Sequence, residues 1–466
     1  MATKTWRVQG GGLAAWAAAA LLARALPHGH SVRVEDGRES GAEDLQPVLA
    51  EPDGLLVQLA DDGDDLMVQA QGGFCLGVML REWREGRDMA LAEQEPLPAI
   101  DGVAVQDVVL RAALGAPGGH GYAALLEPLQ FQARVMRAGQ YAHPSPERQS
   151  PRSLLRPRLL LDRAVLTARL RAAALRDGAR CMSADEAEGW TPFLTVDTRA
   201  AAFHGDGDWR GRLGHDRLAV VRYRGGDQPP YVAVRALSDS LLTLTPLRGG
   251  GVASLCYAES RTSPDQARGR LRAAVGEVEI VDQSDAAVGP GFLRTPWISD
   301  RLALGPAAAS FGPALGLDDI LLGQQLKTLA ACLPGATDQI PACAAAYNTA
   351  TARDAGHRAD RLHLILRQGP QGAALAPFGP ELERRVRQFL SRNGAVMLDG
   401  DPYDAQHWGM VMAGLGLTPR RYDVQADRLD LSAALGALGR MVMAFDQTLA
   451  ALPTHDTVMA DLHGVA

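Results

Sequence analysis

The sequence predicts an α/β protein of two lobes: a Rossmann-like lobe carrying an inserted antiparallel sheet, then a mainly helical C-terminal lobe. Three observations point there. The first 35 residues alternate strand, glycine turn, helix and strand. Residues 216–260 fall into short β-type runs broken by Gly and Pro, and from about residue 336 the apolar spacing turns helical. The expected division is 1–335 for the first lobe, with its inserted sheet at about 216–260, and 336–466 for the second. A chain of 466 residues is long for one hydrophobic core, which favours two lobes.

The opening stretch "TWRVQGGGLAAWAAAALLARALPHGHSVRVED" reads as strand 5–9, turn, helix 13–26 and strand 31–35. Gly10-x-Gly12-x-x-Ala15 is the dinucleotide fingerprint in its G-x-G-x-x-A form. Gly10 permits the tight turn, Gly12 lets backbone approach a pyrophosphate, and Ala15 keeps helix and strand close. The helix N-terminus offers free N–H donors to phosphate oxygens. Glu35 ends the second strand, where a carboxylate accepts from ribose hydroxyls. Gln9 departs from the apolar residue expected at the strand end. A secretory leader is the competing reading, with Lys4 and Arg7 before an apolar run and Ala23-Arg24-Ala25 as cleavage site. The three glycines, Arg24 and the strand that follows favour the βαβ unit, and with it a cytoplasmic protein.

Further along, "LDRAVLTARLRAAALRDGAR" has apolar residues at helical spacing and ends near Gly178. The Pro- and Arg-rich stretch 141–158, with Tyr141 and His143 at its start, reads as an exposed mobile loop. In the C-terminal lobe "ELERRVRQFLSRNG" and the stretch 429–452 show the clearest helical periods, with Gly394 as the stop of the former. Five scattered cysteines with no C-x-x-C pair fit reduced thiols and no metal site. His28 and His30 lack a third ligand and read as a surface turn. A net charge of −7 argues against nucleic acid or an anionic membrane as the main partner. No stretch reaches the roughly 20 apolar residues of a membrane span.

Four separated segments resemble one family. "GGGLAAW" resembles the G-G-G-T-A-G-W opening of the flavin-dependent tryptophan halogenases, and "FCLGVMLREW" their F-K-L-G-I-x-F-x-x-W segment. "WISDRLALGPAAASFGPALGLDDI" is similar to their W-x-x-N-C-V-A-I-G-x-x-A-G-F-x-E-P-L-E-S-T-G-I block. "HWGMVMAGLGLTPRRYDVQAD" is similar to their C-terminal W-x-x-V-x-x-G-x-G-x-x-P-x-x-Y-x-P-x-A-D signature. The resemblance implies the flavin monooxygenase/halogenase type of FAD-binding lobe, with the antiparallel sheet on the substrate side. FAD contacts are then expected at Gly10, Gly12, Ala15, Glu35, Glu43, Gly305 and Pro313.

In the family, reduced FAD, oxygen and halide yield hypohalous acid, which a lysine and a glutamate deliver to an aromatic substrate. Cys75 stands at the lysine position, and a thiol consumes such an oxidant instead of relaying it. With Pro313 aligned, Leu315 takes the glutamate position and cannot move a proton. Leu317 and Asp318 replace the Thr-Gly pair whose amides hold halide; Asp318 and Asp319 are expected to satisfy the following helix end. Leu241 and Thr243 replace the paired tryptophans, with Pro246 retained. The loop 40–47, "SGAEDLQP", keeps only Glu43 and Pro47 of the family loop that borders the flavin ring, which weakens the FAD site. Trp83, Trp297, Trp408 and Pro419 survive as packing residues, and Cys75 itself reads as a small buried residue on a strand.

The resulting expectation is a non-halogenating member, with no confident catalytic residue, acting as scaffold or regulatory subunit. Its partner would be an active paralogue in a hetero-oligomer, or a second copy in a homodimer. The alternative is an active FAD-dependent halogenase or monooxygenase using reduced FAD and oxygen on an indole, tryptophan or peptide. A third reading is a protein that only binds an indole or a peptide.

Overall fold

A computed structural model describes residues 4–35, 37, 41–60, 66–92, 97, 99–115, 121–183, 186, 190–200 and 202–464. The chain forms two compact units. One comprises Met1–Gly73, Arg158–Gln228 and Leu237–Ala359; the other Phe74–Pro157, Pro229–Ala236 and Asp360–Ala466. This division is interleaved in sequence. Composition turns helical near 336, but the helix Ile340–Arg367 runs across the boundary between units at residue 359.

In the first unit β1 (Lys4–Gln9), α1 (Leu13–Ala25) and β2 (His30–Glu35) form the expected βαβ unit. The sheet has six strands, ordered Arg180–Met182, β2, β1, Leu194–Asp197, Arg301–Ala303 and Trp297–Ile298. All neighbours are parallel except the last pair. Residues 13–22 of α1 are all buried, so the helix is apolar all round and not striped. Its alanines allow close approach on every side, which is why the run mimics a leader peptide.

Also in this unit, Arg217–Arg224, Ser240–Leu247 and Gly250–Tyr257 pair antiparallel, as expected, and Glu279–Ala287, outside the expected 216–260, joins them antiparallel to Arg217–Arg224. Ala219, Val221, Leu242, Ala253, Leu255 and Tyr257 pack there against Ala267 and Leu271 of the helix Pro264–Val275. The helix Arg163–Arg176 is capped by the Asp162 side chain, which accepts from Val165 N.

In the second unit Val232–Ala236 pairs parallel to Gly77–Arg84, which pairs antiparallel with Arg87–Ala92. The run 232–236 was expected in the antiparallel set. Alternation identifies strand residues without naming the neighbour that satisfies their backbone. The helix Pro380–Arg392 stops on Asn393, left-handed at φ 61°, and not on Gly394. Asn393 supports that conformation by accepting from the Tyr122 hydroxyl and donating to Asp107. Tyr141, at the start of the expected mobile loop, is fully buried and stacks on Phe74 at 4.3 Å. Among the described residues no helix is long and apolar enough to cross a membrane.

Candidate functional site

The nucleotide fingerprint has the geometry its residue types call for. Gly10 sits at φ +123°, and a Cβ there would lie 2.4 Å from Thr198 Oγ1. That hydroxyl is held in place, donating to Gln9 O at 2.8 Å. Gly12 is the N-cap of α1, with no side-chain cap and no acid in the first turn. The amide end of the helix is therefore left to an external anion. Ala15 is fully buried, 3.8 Å from where a Cβ on Gly10 would be. Gly305, at φ +61°, lets the loop after Arg301–Ala303 approach α1, since its Cβ would fall 2.6 Å from Ala14 Cβ. Its N–H donates to Gln325 Oε1 at 2.7 Å. These cradles, which a side chain would fill, fit the pyrophosphate of a dinucleotide.

Glu35 ends β2 beside Gln9 in the sheet register. Arg7 Nε (3.0 Å) and Nη2 (2.6 Å) and Gln9 Nε2 (3.0 Å) all donate to Glu35 Oε2. Burial opposes ionisation of this carboxyl, but those hydrogen bonds outweigh it and hold the pKa below its ordinary value.

Pro313 opens the 3-10 turn Ala314–Gly316. Glu43 lies on the 3-10 turn Ala42–Leu45, and its charge reaches Arg163 and Asp318. Ser40, first in the altered loop, lies outside the described residues. Gln46, in the same loop, exchanges hydrogen bonds with Ser254 at 2.8 and 2.9 Å.

Cys75 closes the strand Gly73–Cys75, only 2% exposed, with Sγ donating to Gly77 O at 3.3 Å. Leu315 is 2% exposed and left-handed at φ 64°, an unfavourable conformation for a leucine, between the left-handed Gly312 and Gly316. Trp83, Trp297 and Trp408 are each at most 2% exposed, in keeping with packing. Leu241 and Thr243 lie buried on Ser240–Leu247.

The two aspartates behave differently from the expected helix cap. The helix Leu317–Ala331 has Gly316 as N-cap, and both carboxylates reach outward. Asp319 receives Arg163 Nη2 at 2.6 Å and Leu49 N at 3.0 Å. Asp318 receives Phe311 N at 2.7 Å and Gly312 N at 3.2 Å, tying down the preceding segment. Spacing in sequence placed them in the first turn but could not say which amides they would find. Asp318 keeps some accessible surface, yet desolvation of its carboxyl, reinforced by Glu43 and Asp319, raises its pKa to about 7.

Nearby, a Cβ on Gly312 would lie 3.2 Å from Cys256 Sγ and 3.5 Å from His215 Nε2. His215 is 5% exposed; burial lowers its pKa to about 4, against weaker opposing effects of Leu213 O and Asp216. Cys256 is pushed up to about 12 by burial and by Asp318, so it stays a thiol.

These shifts make opposite contributions to stability. Asp318, raised from 3.8, stabilises at acid pH and loses that contribution as pH rises through about 7. His215, lowered from 6.5, stabilises above 6.5 and loses that contribution as pH falls through about 4. Between about 4 and 6.5 the two slopes oppose each other. Asp318→Asn is therefore expected to make urea stability rise with pH across that window, and His215→Gln to make it fall. Identical profiles for both variants and wild type would contradict the assigned shifts.

Of the residues singled out in the sequence, Gly10, Gly12, Ala15 and Glu35 lie together where β1 and β2 end and α1 begins, and Gly305 approaches α1. The sequence did not announce the network around Gln9, the Arg163–Asp319 pair or the approach of Asp318, His215 and Cys256 to Gly312. These join residues far apart in the chain, and no local pattern announces them.

The model of the family described as tryptophan halogenase matches residues 7–189 and 200–430. Among solved structures, the fold is similar to BrvH, a flavin-dependent halogenase from Brevundimonas sp. BAL3, with a TM-score of 0.86 and 20% identity over 99% of each chain. Xcc4156, a flavin-dependent halogenase from Xanthomonas campestris, gives 0.84 and 19% over 99% of each chain. SttH, a tryptophan 6-halogenase from Streptomyces toxytricini, gives 0.81 and 17% over 99% of this chain and 100% of its own. With a Rossmann-like sheet and a family match over most of its length, the chain belongs to the tryptophan halogenase family.

Proposed function

We propose that this protein binds FAD, does not halogenate, and regulates a homologous flavin enzyme as its partner subunit. The observation that carries the loss of halogenation is Cys75: a buried thiol, bonded to Gly77 O, at the position where the family has its lysine. A thiol reduces hypohalous acid to halide and is itself oxidised to sulfenic acid, so it ends the relay. Leu315 adds no proton acceptor at the glutamate position.

Support for FAD binding comes from the cradle. The α1 N-terminus would take the pyrophosphate, Gly10 and Gly12 give it room, and Glu35 would accept from the ribose. FAD, when bound and reduced, supplies oxygen-activating chemistry. The regulatory role rests on family membership together with retained structure and missing catalytic side chains.

The test is a titration with FAD, followed by incubation with tryptophan, chloride, oxygen and a flavin reductase, read by mass spectrometry. Saturable flavin binding without chlorotryptophan is expected. Cys75→Lys alone is also expected to give no chlorinated product, because Leu315 and Asp318 remain. Chlorotryptophan from either protein would overturn the reading. Co-expression with a catalytically complete homologue should give a hetero-oligomer by size-exclusion chromatography; separate elution would remove the regulatory role.

A further inference from the structure

Gln9 is 7% exposed, so both ends of its amide need partners. Its Nε2 donates to Glu35 Oε2 at 3.0 Å. Its Oε1 accepts from Arg199 Nη2 at 3.3 Å and Arg301 Nη2 at 3.1 Å. An amide flip would set its NH2 group against two guanidinium groups, so the orientation is fixed by chemistry. Both arginines are tied in turn to Asp197, which sits beside Gln9 in the register on the other side of β1. One row of polar side chains thus runs from the C-terminal ends of β2, β1 and Leu194–Asp197 to Arg301, which opens the neighbouring strand Arg301–Ala303.

The effect falls on Glu35. Arg7 and Gln9 together place three N–H donors on Oε2, and among the described residues none donates to Oε1. Arg7 alone would leave the carboxylate free to turn and offer either oxygen. The Gln9 amide, approaching the same oxygen along β1, opposes that rotation. An oxygen with no donor among the described residues, at the end of the second strand of a dinucleotide fingerprint, is where a ribose hydroxyl is recognised.

We infer that Gln9 is a positioning residue that presents Glu35 Oε1 to the ribose 2′-hydroxyl of an adenine nucleotide, giving the site its preference for ribose over 2′-deoxyribose. The inference rests on the nucleotide-binding reading above and assigns the specificity to one side chain. Asp197 and the two arginines hold Gln9; Gln9 and Arg7 hold Glu35.

The experiment compares ADP with 2′-deoxy-ADP by titration calorimetry on the full chain. ADP avoids any dependence on the flavin ring. The wild type is expected to bind ADP about tenfold more tightly, the scale of one charge-assisted hydrogen bond. In Gln9→Leu the ADP affinity should fall by about tenfold, to that of 2′-deoxy-ADP, while 2′-deoxy-ADP binding stays unchanged. Glu35→Gln should reach the same ratio, and the double variant should go no further. Should Gln9→Leu fail to fold, Gln9→Asn keeps an amide but draws it back from Oε2 and is expected to show the same loss. Retention of the wild-type ratio in the folded Gln9 variant overturns the positioning role and leaves the nucleotide site standing. A wild type that binds neither nucleotide overturns both.

Discussion

Gly10→Val is expected to lower the affinity for ADP and for FAD by at least about 100-fold, roughly 2.7 kcal/mol. Two effects act together. At φ +123° the backbone lies where only glycine is comfortable, so any side chain must shift the turn. The new Cβ would also meet Thr198 Oγ1 at 2.4 Å. Thr198 cannot simply rotate away, because its hydroxyl and its N–H both donate to Gln9 O, at 2.8 and 3.0 Å. Relief comes only from moving the turn, and the turn positions the first amides of α1 that a pyrophosphate would use. Gly29→Ala is the control: Gly29 is also left-handed, at φ +87°, but nothing lies within 4 Å of its Cβ. It should lose stability alone, about 1 kcal/mol, and keep its affinity. Binding by titration calorimetry, with circular dichroism for fold, decides it. Wild-type affinity in folded Gly10→Val would remove the fingerprint as the nucleotide site.

The same turn shows what was legible in the sequence. Gly10, Gly12 and Ala15 are readable because their constraint is local: a tight turn and a close helix leave marks at fixed spacing. The antiparallel strands 217–224, 240–247 and 250–257 are readable because Gly and Pro cut the apolar runs to strand length, although 240–247 and 250–257 are buried on both faces. The destination of Val232–Ala236 was not readable, because its alternation suits a parallel neighbour as well as an antiparallel one.

At the candidate site the limit is sharper. Absence was legible: a cysteine and a leucine cannot supply an amine and a carboxylate, whatever surrounds them. Replacement was not. Asp318 and Asp319 carry the mark of a helix N-terminus, and the structure uses them instead on Phe311, Gly312, Leu49 and Arg163. Gln9 looked like a blemish in the fingerprint because its three side-chain partners are residues 35, 199 and 301, gathered only by the strand geometry. Polar residues in β-strands are decoded only by what the neighbouring strands place beside them.

Asp401→Ala is expected to destabilise the second unit by about 3–5 kcal/mol. The Asp401 side chain is fully buried and that of Arg385 is 2% exposed, with Arg385 Nη2 donating to Asp401 Oδ2 at 2.5 Å. Trp408 Nε1 donates to the same oxygen at 3.0 Å, and Tyr403 N donates to Oδ1 at 3.0 Å. The guanidinium also stacks 3.9 Å from the Trp408 ring. Removing the carboxylate leaves a buried cation, an indole N–H and a backbone N–H without their acceptor, and the penalty is that of stranding them. Arg385→Met combined with Asp401→Leu removes both charges at once, so it should recover much of what Asp401→Ala loses. Urea denaturation followed by tryptophan fluorescence measures both, and a single variant within about 1 kcal/mol of wild type would show that solvent reaches the pair. The outcome also bears on Trp408, which lies in the C-terminal signature shared with the family. If Trp408 is the lid of a buried ion pair, Asp401→Ala must change stability and leave ADP affinity untouched, since the nucleotide cradle is built wholly from the first unit. A loss of nucleotide binding without a loss of stability would instead make this tryptophan part of a ligand site.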